Sequence, residues 1–341
     1  MAEQIRNLIV IGASAGGIKA ITKILEGLSQ SINASVMVVL HVSRKSNIGN
    51  ISEIFQRSTS LECVVATNNL LLEKGKIYLA SPEHHLLVNG PVMLVNQGPE
   101  ENRFRPSIDV LFRSAAVHYG NKVIGIVITG MLEDGTSGMF AIKTCGGLCI
   151  VQDPSEAEYS SMPLNVMRKI QVDYMAPLDE IPIIIQNILN NPLPPKIAIP
   201  EELKVEAELT EKLMSDINKL KKIADRSDFV CPDCGGGLWS IKNDPTHRYR
   251  CHTGHVYTEK LLQDLQDLKI EETIWVSIRM LEEKRSMLRM LISRKSRGEG
   301  NETDSVFALE KRAQDIDEHI IRLKSLVVKL ADDSAKDNQS A

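Results

Sequence analysis

Residues 7–28 read NLIVIGASAGGIKAITKILEGL, and the rest of the chain is organised around them. Leu8-Ile9-Val10-Ile11 is a short β-branched run of the kind found in strands buried on both faces. A turn of small residues follows, Gly12-Ala13-Ser14-Ala15-Gly16-Gly17. Apolar positions then recur at Ile18, Ile21, Ile24 and Leu25, the spacing of an amphipathic helix. Strand, tight turn and helix place the turn at the carboxyl edge of a sheet, where open α/β folds keep their sites.

Ser14 is the only side chain in that turn with reactive chemistry. Gly12-Ala13-Ser14-Ala15-Gly16 fits the G-x-S-x-G pattern of a nucleophile elbow. Free N–H groups at the start of the following helix suit an oxyanion, and equally a phosphate. A nucleotide loop is therefore the competing reading. Two absences weigh against it: the turn lacks the G-x-G-x-x-G order, and no Gly-Lys-Ser/Thr follows. The second strand also ends in His41, where a ribose-binding acid is expected.

The chain has 341 residues, room for about two domains. Its 43% hydrophobic content supports a sizeable core, and its net charge of −4 argues against general nucleic-acid binding. No apolar run approaches the roughly 20 residues that cross a bilayer, and MAEQIRN lacks a signal peptide's apolar segment. These features predict a soluble cytoplasmic protein with no membrane insertion. Cys63, Cys145 and Cys149 lie in apolar or Gly-flanked segments and are expected to be reduced core residues.

Buried strands and helices alternate to about Asn191: Ala34–His41, Glu62–Thr67, Lys76–Ala80, Val123–Thr129, Leu148–Gln152 and Val172–Ala176 read as strands. The pattern predicts a doubly wound, mostly parallel α/β sheet over residues 1–191. His85 to Val95 reads as a hairpin turning at Asn89-Gly90, inserted at a sheet edge. Residues 191–200, NPLPPKIAIP, form a stiff linker within a partly helical segment, 192–227.

A nucleophilic serine needs a base, and the base an orienting acid. His41 ends the strand VMVVLH, and Asp134 follows the strand VIGIVIT in the turn TGMLEDG. Glu133 stands next to Asp134, so the choice between the two carboxylates stays open on position alone.

At this point the sequence resembles a known family. IGASAGG (11–17), the LH at 40–41, IYLASPEHHLLV (77–88), RFRPSIDVLFRSAA (103–116), ITGMLEDGTSGMFAIKTCGG (128–147) and VQDPSEAEYSSMP (151–163) match in order the catalytic domain of CheB-type chemotaxis protein-glutamate methylesterases. The resemblance covers residues 6 to 190. It implies Ser14 as nucleophile, His41 as base and Asp134 as orienting acid, with the N–H groups of Ala15 and Met131 as oxyanion donors. It also implies hydrolysis of glutamyl methyl esters on chemoreceptor-type proteins, and an amide activity on glutamine by the same machinery. Two positions depart from the family pattern: Leu132 stands where glycine is common, and Ala15 where threonine is frequent. Because the catalytic motifs begin near residue 6, the sequence predicts no phosphoacceptor receiver domain ahead of them.

Residues 231–255 read CPDCGGGLWSIKNDPTHRYRCHTGH. Cys231 and Cys234 form a C-x-x-C knuckle, and Cys251 and His255 a second pair, four ligands for a tetrahedral structural zinc in a small module over 228–258. His252 is the alternative fourth ligand, and a redox C-x-x-C the competing use, without the βαβ context it needs. Residues 259–333 then predict an antiparallel helical hairpin. Ile274, Ile278, Leu281, Leu288 and Ile292 form one seam, interrupted by Arg285. Leu309, Ala313, Ile316, Ile320, Leu323, Val327 and Leu330 form the other. Residues 298–304, GEGNETD, are the expected turn, and 334–341 an expected disordered tail. The proline-rich linker is expected to hold everything beyond it away from the catalytic domain, leaving the hairpin free to bind a signalling partner. A catalytically silent scaffold acting through that tail is the rival reading, and a nucleotide-binding regulator a third.

Overall fold

The computed structural model describes residues 5–213, 216–298 and 305–339. Two compact units divide at Leu261/Leu262.

The first unit is built on a seven-stranded sheet. Its strands are β1 (Asn7–Ala13), β2 (Ala34–Leu40), β3 (Glu62–Val65), β4 (Lys76–Leu79), β7 (Val123–Val127), β8 (Leu148–Gln152) and β9 (Tyr174–Ala176), in spatial order β3-β4-β2-β1-β7-β8-β9. Every pairing is parallel. Side chains of β1 alternate between two cores: Leu8 and Val10 join one with Phe112 and Met139, Ile9 and Ile11 the other with Ile21 and Ile24. Helices α1 (Gly17–Glu26), α2 (Ile48–Ser58) and α6 (Ile181–Asn190) cover the second face, whereas α3 (Ile108–Tyr119), α4 (Thr136–Thr144) and α5 (Ser161–Lys169) cover the first. This is the doubly wound architecture that two-sided burial of aliphatic strands requires. In α1, Ala20, Ile21, Ile24 and Leu25 are buried, but Ile18, counted in the same stripe, is exposed.

The hairpin differs from its expected place. β5 (His85–Asn89) and β6 (Val92–Asn96) form a separate two-stranded antiparallel sheet, not an edge of the main one. Its first strand packs on α3, where Val88 N–H donates to Ser114 Oγ at 3.0 Å. The three expected core cysteines are free thiols, with Cys145 and Cys149 buried and Cys63 partly so.

Beyond the proline-rich stretch come α7 (Glu201–Glu211) and α8 (Ile217–Ile223). A four-stranded antiparallel sheet follows: β10 (Ala224–Val230), β11 (Gly237–Ile241), β12 (Arg248–Cys251) and β13 (Val256–Thr258). The expectation that the linker keeps this part at a distance is corrected. Asn102 N–H donates to Val256 O at 2.8 Å, and a buried charge cluster joins the two sides. A short stiff linker redirects the chain without preventing its return. The charged residues that dock look in sequence like solvated surface.

The second unit contains α9 (Glu259–Ser296, which begins in the first unit) and α10 (Val306–Gln339). Ile278, Leu288, Leu309, Ala313, Ile316, Ile320 and Val327 are buried along one seam, with Ile274, Leu281, Ile292 and Leu323 against it. Arg285, the polar interruption, bonds Asp317 across the seam at 2.5 Å, and Lys324 reaches Glu282 at 2.9 Å. The expected tail is also corrected, because α10 continues through Gln339 and 334–339 are helical. Ala, Lys and Gln there are good helix formers, and no Gly or Pro stops the helix. Most of the expected turn, 299–304, lies outside the described residues. Among the described residues, no helix is long and apolar enough to cross a membrane.

Candidate active site

The parallel register brings three strand ends together. Ala13 stands opposite Leu40 and Gly12 opposite Val127, so Ser14, His41 and the turn after β7 all emerge at one carboxyl edge. Main-chain bonds fix their spacing: His41 N–H donates to Ala13 O at 3.0 Å, and Ser14 N–H to Thr129 O at 3.0 Å. Glycine is required by close approach on both sides of Ser14. A Cβ on Gly12 would lie 2.4 Å from Ile108 Cγ2, and one on Gly130 would lie 2.8 Å from Ser14 Cβ.

His41 and Asp134 are joined. The histidine Nε2 lies 2.9 Å from Asp134 Oδ2, with the two side chains 5% and 0% exposed. His41 Nδ1 is buried without a hydrogen-bond partner. Ser14 is half-buried at the adjacent strand end. Of the two neighbouring carboxylates, Asp134 enters this constellation, while Glu133 is only partly buried and contributes its carbonyl to Thr136 N–H.

Asp134 is also seated on the start of α3. It accepts from Ile108 N–H at 2.6 Å, Ser107 Oγ at 2.9 Å, Asn102 Nδ2 at 3.3 Å and Asp109 N–H at 3.4 Å. Burial pushes its carboxyl up, but the bonds from His41, Ile108 and Ser107 outweigh it and hold the group below the usual carboxylate range. Asp109, also fully buried, is pushed well above that range, first by burial and then by the Asp134 charge.

The two expected oxyanion donors lie in loops with other duties satisfied. Gly130 N–H donates to Tyr159 O and Leu132 N–H to Ser161 Oγ, both at 2.9 Å. Among the described residues the N–H groups of Ala15 and Met131 have no acceptor in the chain. Leu132 takes φ 70, the left-handed region that glycine adopts at little cost.

Four residues at the site carried no role in the sequence reading: Asn102, Phe104, Ser107 and Asp109. All lie in or beside the quoted segment RFRPSIDV (103–110). Phe104 stacks on the His41 ring, with centroids 3.6 Å apart and planes 5° off parallel. No periodicity marks these positions; the one signal is their place around the start of α3, where free N–H groups need acceptors.

Cys231, Cys234, Cys251 and His255 converge, with ligand atoms all within 4.8 Å of one another. Cys234 Sγ and Cys251 Sγ are 3.8 Å apart, and His255 Nδ1 lies 3.7 and 3.5 Å from the sulfurs of Cys231 and Cys251. A tetrahedron with metal–sulfur bonds of about 2.3 Å has edges of about 3.8 Å, so the donors fit a bound metal ion. His252 is outside this group; its ring lies against Gly236.

With this geometry in hand, the chain matches the CheB methylesterase family over residues 9–185, just over half of its length. The chain belongs to that family. Among its relatives is a Leptospira interrogans protein named "Putative protein-glutamate methylesterase/protein-glutamine glutaminase", 37% identical over 174 residues that cover 51% of this chain and 90% of the relative. A Methanosarcina mazei protein named "Protein-glutamate methylesterase/protein-glutamine glutaminase 2" is 34% identical over 184 residues, 52% of this chain and 50% of that protein. The chain thus spans about half the length of that relative. The crystal structure of the Thermotoga maritima CheB methylesterase catalytic domain superposes with a TM-score of 0.51 at 26% identity, covering 53% of this chain and 97% of that domain. The CheB family match ends before α7, so α7 to α10 and the Cys/His cluster lie outside it.

Proposed function

We propose that this chain hydrolyses glutamyl methyl esters on a methylated chemoreceptor or receptor-like protein, through an acyl-enzyme on Ser14. The observation that carries this reading is the buried His41–Asp134 pair at the strand end beside Ser14. Ser14 Oγ attacks the ester carbonyl, and its proton passes to His41 Nδ1, the ring nitrogen left without a partner. The N–H groups of Ala15 and Met131 receive the developing oxyanion. His41 returns the proton to the departing methoxide, which leaves as methanol. Water then cleaves the acyl-enzyme, leaving a glutamate carboxylate and Ser14 restored. Asp134 holds the ring and stabilises the imidazolium. The histidine's two edges are used in the opposite order to chymotrypsin's, where Nδ1 faces the acid. A glutamine side-chain amide can enter the same sequence, with ammonia as leaving group.

We assign the Cys/His cluster a structural zinc. Its four protein donors leave no open position for substrate, so the metal's contribution is to fold the module. No metal or other cofactor takes part in the proposed chemistry. The reading places the protein's work in the cytoplasm and gives the helical hairpin to a signalling partner. The discriminating experiment measures methanol released from methylated receptors by the wild type and by Ser14→Ala, beside serine labelling with a fluorophosphonate. Release and labelling by the wild type, both lost in the variant, support the esterase. A folded wild type that shows neither favours the silent scaffold.

A further inference from the structure

The loop that carries Asn102 is held from two sides. Its N–H donates to Val256 O on β13, and Val256 N–H returns a bond to Glu100 O at 3.4 Å. Its side-chain amide points the other way, donating to Asp134 Oδ1 at 3.3 Å and to Asp109 Oδ2 at 3.0 Å. Two residues on, Phe104 lies flat on His41. One residue therefore links the main chain of the Cys/His module to the carboxylate that orients the base.

The residue between them, Glu101, is 1% exposed and takes both Arg113 from α3 at 2.8 Å and Arg250 from β12 at 3.2 Å. Arg113 and Arg248 in turn share Glu206 of α7, at 3.2 and 2.8 Å, and Arg248 is closed by Asp244. Three carboxylates and three guanidinium groups so balance one another in the interior. Such clusters are weak evidence for net stability, because desolvation offsets much of their attraction; a geometric role is the better account.

The loop needs such a restraint. Asn102 and Arg103 are consecutive non-glycine residues with φ 54 and 67, a left-handed conformation that side chains disfavour. His85 pins its far end, bonding Pro99 O at 2.9 Å and accepting from Ser107 N–H at 3.2 Å. The Val256 and Arg250 contacts come from the module, whose candidate metal ligands Cys251 and His255 are their immediate chain neighbours.

We propose that the Cys/His module braces the His41–Asp134 pair from behind, and that Asn102 is the positioning residue through which it acts. Asn102 touches no reacting atom. It sets where Asp134 sits and keeps Phe104 against the base. The kinetic side of this proposal rests on the esterase reading; the structural side does not.

The test uses the full chain. Asn102→Gly keeps the left-handed backbone and the Val256 bond but removes the side-chain amide. It should lower kcat about tenfold to a hundredfold, the scale of a misplacement of about 1 Å. KM should stay within about twofold, since substrate contacts are untouched. The pH–rate profile should change shape, because Asp134 loses one of its hydrogen-bond donors. Arg250→Met should lower kcat in the same way, and Arg250→Lys should restore part of it. A readout free of catalysis is the downfield proton resonance of the His41–Asp134 hydrogen bond, which should shift or broaden in both loss variants. If that resonance moves while the wild type hydrolyses no ester, the brace stands and the esterase reading falls. If Arg250→Met does not fold, Asn102→Gly and Arg250→Lys decide. Wild-type kcat, pH profile and resonance in folded Asn102→Gly would overturn the proposal.

Discussion

His41 and Phe104 lie face to face, ring centroids 3.6 Å apart, although they stand 63 positions apart in the sequence. The phenyl ring blocks rotation of the imidazole while Asp134 holds one of its edges. Phe104→Leu keeps apolar bulk but loses the flat face. It should lower kcat on a methyl ester by about tenfold, with KM little changed, as expected when a base loses alignment. Steady-state methanol release measures both constants.

Asp134→Asn should cost up to about 10⁴-fold in turnover, the loss produced when a triad acid no longer fixes the histidine tautomer. Glu133→Gln should change turnover by much less, because that side chain is outside the constellation. A reversed order of the two effects would move the acid to Glu133.

Glu206 supplies an acid-sensitivity test. Burial pushes its carboxyl up, but Arg113 and Arg248 outweigh that and hold it down at about 2, below its ordinary 4.5. A depressed carboxyl contributes stability that is complete above the unfolded value and is lost as pH falls toward the folded one. Thermal midpoints should therefore drop between pH 4.5 and about 2. In Glu206→Gln the curve should be flatter over that window and lower at neutral pH, where two arginines have lost a partner. Calorimetry across the window reads both.

Metal analysis should give one zinc per chain, falling sharply in Cys231→Ser and His255→Ala. Structural zinc in small modules contributes roughly 10–16 kcal/mol of apparent binding free energy, so chelation should unfold β10–β13. Hydrogen exchange should then rise in those strands and also around residues 100–104, which the module holds. A metal-free chain with the same protection pattern would remove the metal from this account.

Much of the fold could be read directly. Runs such as VIGIV and LCIVQ have one structural solution, a strand buried on both faces, and strand ends are where Ser14, His41 and Asp134 had to be sought. Asn102, Phe104 and Ser107 escaped because a loop has no period, and their roles depend on a left-handed turn that composition does not announce. Arg248, Arg250 and Glu206 escaped for a different reason. A charged residue is usually solvated, and burial of six together is decided only when distant segments meet. The same blindness made the proline-rich linker look like a spacer.

The pairing of β1 with β2 makes chain length a quantity this site cannot trade. Exchange among Ile, Val and Leu at positions 8–11 leaves Ala13 opposite Leu40, and Ser14 stays level with His41. Deletion of one residue there would turn every later side chain of the strand to the opposite core and draw Ser14 back by about 3.3 Å. That is a full hydrogen-bond length, so Ser14 would be carried out of reach of His41 even if the sheet re-formed. A library of variants should therefore show β1 permissive to aliphatic substitution and closed to single-residue insertions and deletions.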